Sequence, residues 1–346
     1  INPGSESSNP ELLGTVNGNL LFTTFNPSES LNTKLWKTDG SEAGTVVIED
    51  FGNNSFPPTL TTRVDGAIYF LLNTSFTTLS LYKSDGTESG TFSVDSSNLR
   101  TGERITDLTS VGDSVFYSAI VSVSSFFPSR LFKIDNNTNN PVVIQQNQEF
   151  GGGRADDLKA VGNTLFFTDN INQLEEGTLD TELWKSDGTD AGTVLVKDIN
   201  PNDSSNPDLL ADVGGTLFFS AEDGTSGREL WKSDGTEAGT VLIKDINPGS
   251  SSSISPTPFT PPTSNSGNKF ADVSGTFYFI ADDGTNGNEL WKSDGTNSGT
   301  ILVKDIISGS GGSDPSNLTN VNGTLFFTVN DGSNGTELWK SDGTES

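Results

Sequence analysis

In a chain of 346 residues with neither histidine nor cysteine, chemistry falls to carboxylates, hydroxyls and amides. This excludes Ser-His-Asp and Cys-His nucleophiles, imidazole acid–base steps, and thiolate or imidazole metal centres. Two groups of acids have informative spacing. The segments AEDGTSG, ADDGTNG and VNDGSNG set Glu222/Asp223, Asp282/Asp283 and Asn330/Asp331 at matching points. Carboxylates grouped with other oxygens suit Ca2+, a hard cation with an all-oxygen shell. The segment KDINPNDSSNPD spaces Asp198, Asn200, Asn202 and Asp203 like the opening of a calcium loop, but Leu209 stands where its twelfth-position acid belongs. The competing reading is a set of solvated Asp-Gly turns. An enzyme would have to pair carboxylates as glycosidases do, and the candidates Glu11, Asp107, Asp156, Asp157, Asp208, Asp212 and Asp272 are scattered. A non-enzymatic role is the expectation.

A third constellation is the Lys-x-Asp triplet, whose acids are Asp39, Asp85, Asp135, Asp187, Asp234, Asp294 and Asp342. An aspartate entering a glycine-containing hairpin accepts hydrogen bonds from N–H groups two or three residues on, which sets the turn. Seven copies suit that structural task better than one binding site. Just before each triplet stands an aromatic: Trp36, Tyr82, Phe132, Trp184, Trp231, Trp291 and Trp339. These read as packing between layers, with sugar platforms as the alternative.

The elements that position these residues follow from the repeat. The aromatics recur 46 to 60 residues apart, a period that matches one four-stranded propeller blade better than a helical repeat. The units run approximately 1–51, 52–95, 96–146, 147–199, 200–246, 247–306 and 307–346. In the fifth, strands are expected at Leu209–Val213 (a), Thr216–Ala221 (b), Glu229–Ser233 (c) and Thr240–Asp245 (d), with Gly214-Gly215 as a two-residue hairpin turn. Strand b is apolar at consecutive positions, as in Leu217-Phe218-Phe219, so both faces of each sheet need cover. Radial stacking provides it. The predicted fold is an all-β, seven-bladed propeller of four-stranded antiparallel blades forming one domain, 1–346, with an open solenoid as the alternative. The chain stops where the seventh strand d would begin, so the strand Glu337, Leu338, Trp339, Lys340, Ser341 is expected to present an open edge. Its occupant would be another part of a larger parent chain or a strand from a second copy.

The runs ELWKSDGTDAGT (Glu182 to Thr193), ELWKSDGTEAGT (Glu229 to Thr240) and ELWKSDGTNSGT (Glu289 to Thr300) resemble the ELWxxDGT, or hyalin-like, repeat family. Units two and three depart from it with SLYKSDGTESGT and RLFKIDNNTNNP. The resemblance implies a large exported bacterial protein, an extracellular or cell-surface setting beside adhesion modules, and no assigned enzymatic activity.

A formal net charge of −27 opposes nucleic acid and anionic lipid as partners and favours divalent cations as bridges between molecules. No apolar run approaches the roughly 20 residues that span a bilayer. With no methionine, the sequence is expected to start at a processed or trimmed end, and its composition suits secretion. The function expected from all this is a structural or adhesive surface module, able to join filaments by strand complementation at blade seven. The alternative is a carbohydrate-binding propeller lectin.

Overall fold

The structure is a computed structural model, which describes residues 1, 7–27, 31–75, 79–94, 103–121, 129–144, 155–173, 179–256 and 268–345. The middle of the long loop between Asn247 and Lys269, residues 257–267, lies outside them. Every regular element among the described residues is a strand, so no helix there is long and apolar enough to cross a membrane.

The strands form seven small antiparallel sheets, each a meander in chain order. The first comprises Glu11–Val16, Asn19–Asn26, Asn32–Thr38 and Val46–Asp50; the second Leu60–Val64, Ala67–Asn73, Leu79–Ser84 and Phe92–Ser93. The third is Glu103–Val111, Ser114–Val121, Ser129–Asp135 and Pro141–Val143, and the fourth Asp156–Val161, Thr164–Gln173, Leu179–Ser186 and Val194–Lys197. Asp208–Val213, Thr216–Glu222, Arg228–Ser233 and Val241–Lys244 make the fifth, within a residue or so of the expected bounds. The sixth holds Phe270–Val273, Thr276–Asp282, Asn288–Ser293 and Ile301–Lys304. The seventh has three strands, Ser316–Val321, Thr324–Asn330 and Thr336–Ser341. Its last strand is an edge among the described residues, with Leu338 70% exposed.

Two features of the sequence explain these hairpins. Between strands a and b, Gly214 and Gly215 have φ of 60° and 85°, the paired left-handed geometry whose twist matches a two-residue hairpin. Between strands c and d, each residue of S-D-G-T-x-x-G-T has a task. In blade five the Ser233 and Thr240 hydroxyls meet at 2.8 Å, Thr236 donates N–H and O–H to Asp234 Oδ1, and Gly239 N donates to Thr236 Oγ1. A Cβ on Gly239 would fall inside the Asp234 carboxylate, so the second glycine makes room for the acid. A double-mutant cycle checks this pairing. Gly239→Ala should lower the melting temperature, and adding Asp234→Ala should recover part of the loss.

Two compact units divide the chain: Ile1–Leu158 with Gly188–Asp190, and Lys159–Asp187 with Ala191–Ser346. Within the first, Tyr69, Leu71, Val115, Tyr117, Phe132 and Ile134 build a core. In the second, Phe218, Leu230, Phe277, Phe279 and Trp291 build one, and Phe166, Leu183, Leu217, Phe219 and Trp231 another. Consecutive strand-b residues serve opposite cores, since Phe218 joins one and its neighbours Leu217 and Phe219 the other. That is why strand b lacks the alternation of a half-exposed strand.

Candidate functional site

The seven motif aromatics lie directly across from a strand-b aromatic: Phe22↔Trp36, Phe70↔Tyr82, Tyr117↔Phe132, Phe167↔Trp184, Phe219↔Trp231, Phe279↔Trp291 and Phe327↔Trp339. Trp231 is 6% exposed, and the Lys197 ammonium sits 5.9 Å from its ring centroid. Lys244 covers Trp291 at 5.7 Å. At these two tryptophans a protein cation occupies a ring face that a sugar would need.

The triplet lysines tie one blade to the next. Lys232 Nζ donates to Gly295 O and Lys292 Nζ to Gly343 O, both at 2.8 Å, while Lys83 Nζ reaches Asn136 O at 2.7 Å. The triplet acids cap their own turns: Asp39, Asp85, Asp135, Asp234, Asp294 and Asp342 each accept the N–H two residues on. Asp187 occupies the same position against Gly192. Hydrogen bonds from Thr236 hold the Asp234 carboxyl below its usual range, and Asp294 and Asp342 behave alike.

The acids between strands b and c are engaged by their own loops. Asp223 Oδ1 accepts from Thr225 N, Thr225 Oγ1 and Ser226 N. Asp283 takes the matching bonds from Thr285 and Asn286, and Asp331 accepts from Ser333 N and Asn334 N. Glu222 pairs with Arg228 at 3.1 Å, and Asp282 accepts Gly284 N. Of the scattered strand-a acids, Asp107 Oδ2 accepts Leu158 N from the adjacent blade at 2.6 Å and Asp212 Oδ2 accepts Gly162 N. Asp272 Oδ1 accepts Gly275 N in its own hairpin.

Sequence reasoning missed three of the most deeply placed acids, the glutamates that open the ELWK runs of units four to six. Glu182, Glu229 and Glu289 are fully buried, and each ties down the loop that leaves its blade. Glu229 accepts Ile246 N at 3.0 Å, Asn247 N at 3.4 Å, Ser253 N at 3.1 Å and Ser253 Oγ at 2.5 Å. Glu182 accepts Ile199 N, Ser205 N and Ser205 Oγ, and Glu289 accepts Ser313 Oγ. Burial pushes Glu182 and Glu229 up to about 7 against those donors, and pushes Glu289 up as well. The available signal was a glutamate recurring in a strand otherwise committed to the interior. Units one to three carry Lys34, Ser80 and Arg130 there instead.

Beside each glutamate is a second acid. Asp198, Asp245 and Asp305 each bury an Oδ1 that meets no donor among the described residues. In blade four Asp180 does the same, so the sequence candidate Asp198 lies in an acidic recess, with Asn200 buried and Asp203 exposed on the loop above it. The loop glycines set the recess in the sister blades. Gly287 has φ of 69° and a Cβ there would stand 2.5 Å from Gly312 N, so Gly287→Ala should cost about 2 kcal/mol, read by chemical denaturation.

No protein-family model matches the chain, and no curated protein does so. Solved structures do. Dipeptidyl peptidase 4 of Porphyromonas gingivalis is similar at a TM-score of 0.63 and 10% identity, over 97% of this chain and 51% of that one. A structure from a study of two prolyl endopeptidases is similar at 0.51 and 11%, over 96% and 49%. The β-propeller domain of the Trilobed protease from Pyrococcus furiosus is similar at 0.48 and 10%, over 97% of both chains. The chain is a seven-bladed β-propeller, and its last blade has three strands. It spans about half the length of the first two of these structures.

This corrects the functional expectation. An adhesive or filament-forming module, with a lectin as alternative, was expected from the repeats, their family resemblance and the acidity, whereas the similar structures named above come from peptidases. The physical reason is that a repeat encodes blade packing, and packing is indifferent to the task grafted onto it.

Proposed function

We propose that this propeller is the non-catalytic part of a peptidase-type assembly, working beside a catalytic domain that it does not itself contain. The observation that supports the reading is the likeness of almost the whole chain to about half of a dipeptidyl peptidase at a TM-score of 0.63. The chain's chemistry agrees with it. Without histidine or cysteine it has no imidazole or thiolate to activate a nucleophile, and its buried glutamates accept bonds from their own loops.

The test compares two preparations on fluorogenic dipeptidyl and prolyl peptide amides. The isolated 346-residue chain should show no turnover. The intact polypeptide purified from its source, with any tightly bound partner, should hydrolyse at least one of them. A source preparation with no peptidase activity would refute the assembly, and turnover by the isolated chain would refute its non-catalytic part.

A further inference from the structure

Blade one and blade four build the same corner, charge-balanced in the first and acidic in the fourth. In blade one the facing positions at the start of strand c and the end of strand d hold Asn32, Lys34 and Asp50. Lys34 pairs with Asp50 in the strand register, and Lys34 Nζ lies 3.3 Å from Asp50 Oδ2. One cation answers one anion. In blade four the matching residues are Asp180, Glu182 and Asp198. The pair Leu183↔Lys197 sets Glu182 across from Asp198 one step further on, and Asp180, two residues before Glu182, shares its face. Three acids stand where blade one balances its charge.

The surroundings do not relieve this. Asp180 is 4% exposed, and Oδ1 of both Asp180 and Asp198 is buried without a donor among the described residues. Glu182 already accepts from Ile199 and Ser205. The loop closes over the corner, with Thr181 N donating to Ser204 Oγ at 2.8 Å and Asn206 N to Thr181 O at 3.2 Å. Burial, then the charges of Asp198 and Asp203, push the Asp180 carboxyl above its usual range. In blades five and six the counterparts of Asp180 are Gly227 and Gly287, where the loop backbone leaves no room for a Cβ. Asp180 is thus an inward acid at a position where blades five and six carry no side chain at all. A buried carboxylate with an unanswered oxygen is costly unless a cation or a proton neutralises it.

We propose that blade four binds one hard divalent cation, Ca2+ or Mg2+, between Asp180 and Asp198, in the place of the Lys34 ammonium of blade one. No group of three or more acids among the described residues is placed so that together they could hold a metal ion. The site is accordingly a two-carboxylate one, completed by neutral oxygens and water, a donor set that these ions accept. Glu182 holds the loop around it, and Asp203 adds negative potential at its mouth.

Calorimetric titration of the chelator-treated chain with CaCl2 or MgCl2, in buffer at about 0.15 M salt to suppress diffuse binding, tests this. About one ion per chain should bind with Kd below about 1 mM, and Asp180→Asn should weaken it at least tenfold. The same salt should raise the melting temperature of the wild type and not of the variant. Asparagine stands at this position in blade one and glycine in blades five and six, so Asp180→Gly is a second variant should Asp180→Asn misfold. Absence of saturable binding, or binding that a folded variant leaves unchanged, would overturn the proposal, the second result assigning the ions to the acidic surface.

Discussion

Replacing Glu229 with alanine should destabilise the protein by about 3–5 kcal/mol, the range for leaving buried partners of a charged group unanswered. Glu229 is 0% exposed and is the shared acceptor for three backbone N–H groups and one hydroxyl of the loop Ile246–Ser253. Alanine would strand those donors where water reaches them poorly and would leave a void under the loop. Glutamine keeps the shape and one acceptor oxygen, and its amide can donate to Ser253 Oγ. Glu229→Gln should therefore cost about 1–2 kcal/mol. Denaturant titration of both variants checks the order, and an alanine variant no worse than the glutamine one would defeat the account.

The second large effect is on pH dependence. Glu182 and Glu229 have folded-state values of about 7 against an ordinary 4.5. Between those values the folded protein holds protons that the unfolded chain has released, so stability should fall as pH rises from about 4.5 to 7 and level off above. The two groups together should account for on the order of 3 kcal/mol, about half the full linkage value, since water and loop adjustment relieve part of the burial. The opposite slope appears at lower pH. Asp223, Asp283 and the turn acids Asp39, Asp234, Asp294, Asp331 and Asp342 have depressed values, and their contribution is lost as pH falls through them. Stability should peak near pH 5. Melting curves of wild type and a Glu182→Gln/Glu229→Gln double variant separate this from general repulsion among the 27 excess negative charges, because only the wild type should lose stability steeply between pH 5 and 7. Parallel curves would contradict the assignment.

Much of the architecture was legible because its causes are local. The glycine pairs between strands a and b specify a left-handed turn on the spot. Asp234, Thr236 and Gly239 close the next hairpin within six residues. The doubly apolar strand b reports that both faces of a sheet are covered. The glutamates were harder to see, because an acid in a β-strand usually faces water. Only the loop folding back over Glu229, 17 to 24 residues further along the chain, turns a surface residue into an anchor. The acids between strands b and c, whose grouping in sequence allowed either a cation or Asp-Gly turns, accept hydrogen bonds from their own loops.

Tandem similarity, glycine punctuation and apolar strand cores were enough to establish an all-β propeller with a shorter last blade, because short-range turns and binary patterning dictate each sheet independently. What the neighbouring segments do to a side chain was left to the tertiary structure. It placed Lys197 on Trp231, buried Glu229 under its loop, and buried Oδ1 of Asp180 and of Asp198 where no donor among the described residues meets them. Partner and burial are properties of residues brought together from far apart in the chain, and a linear pattern carries no term for the water they exclude.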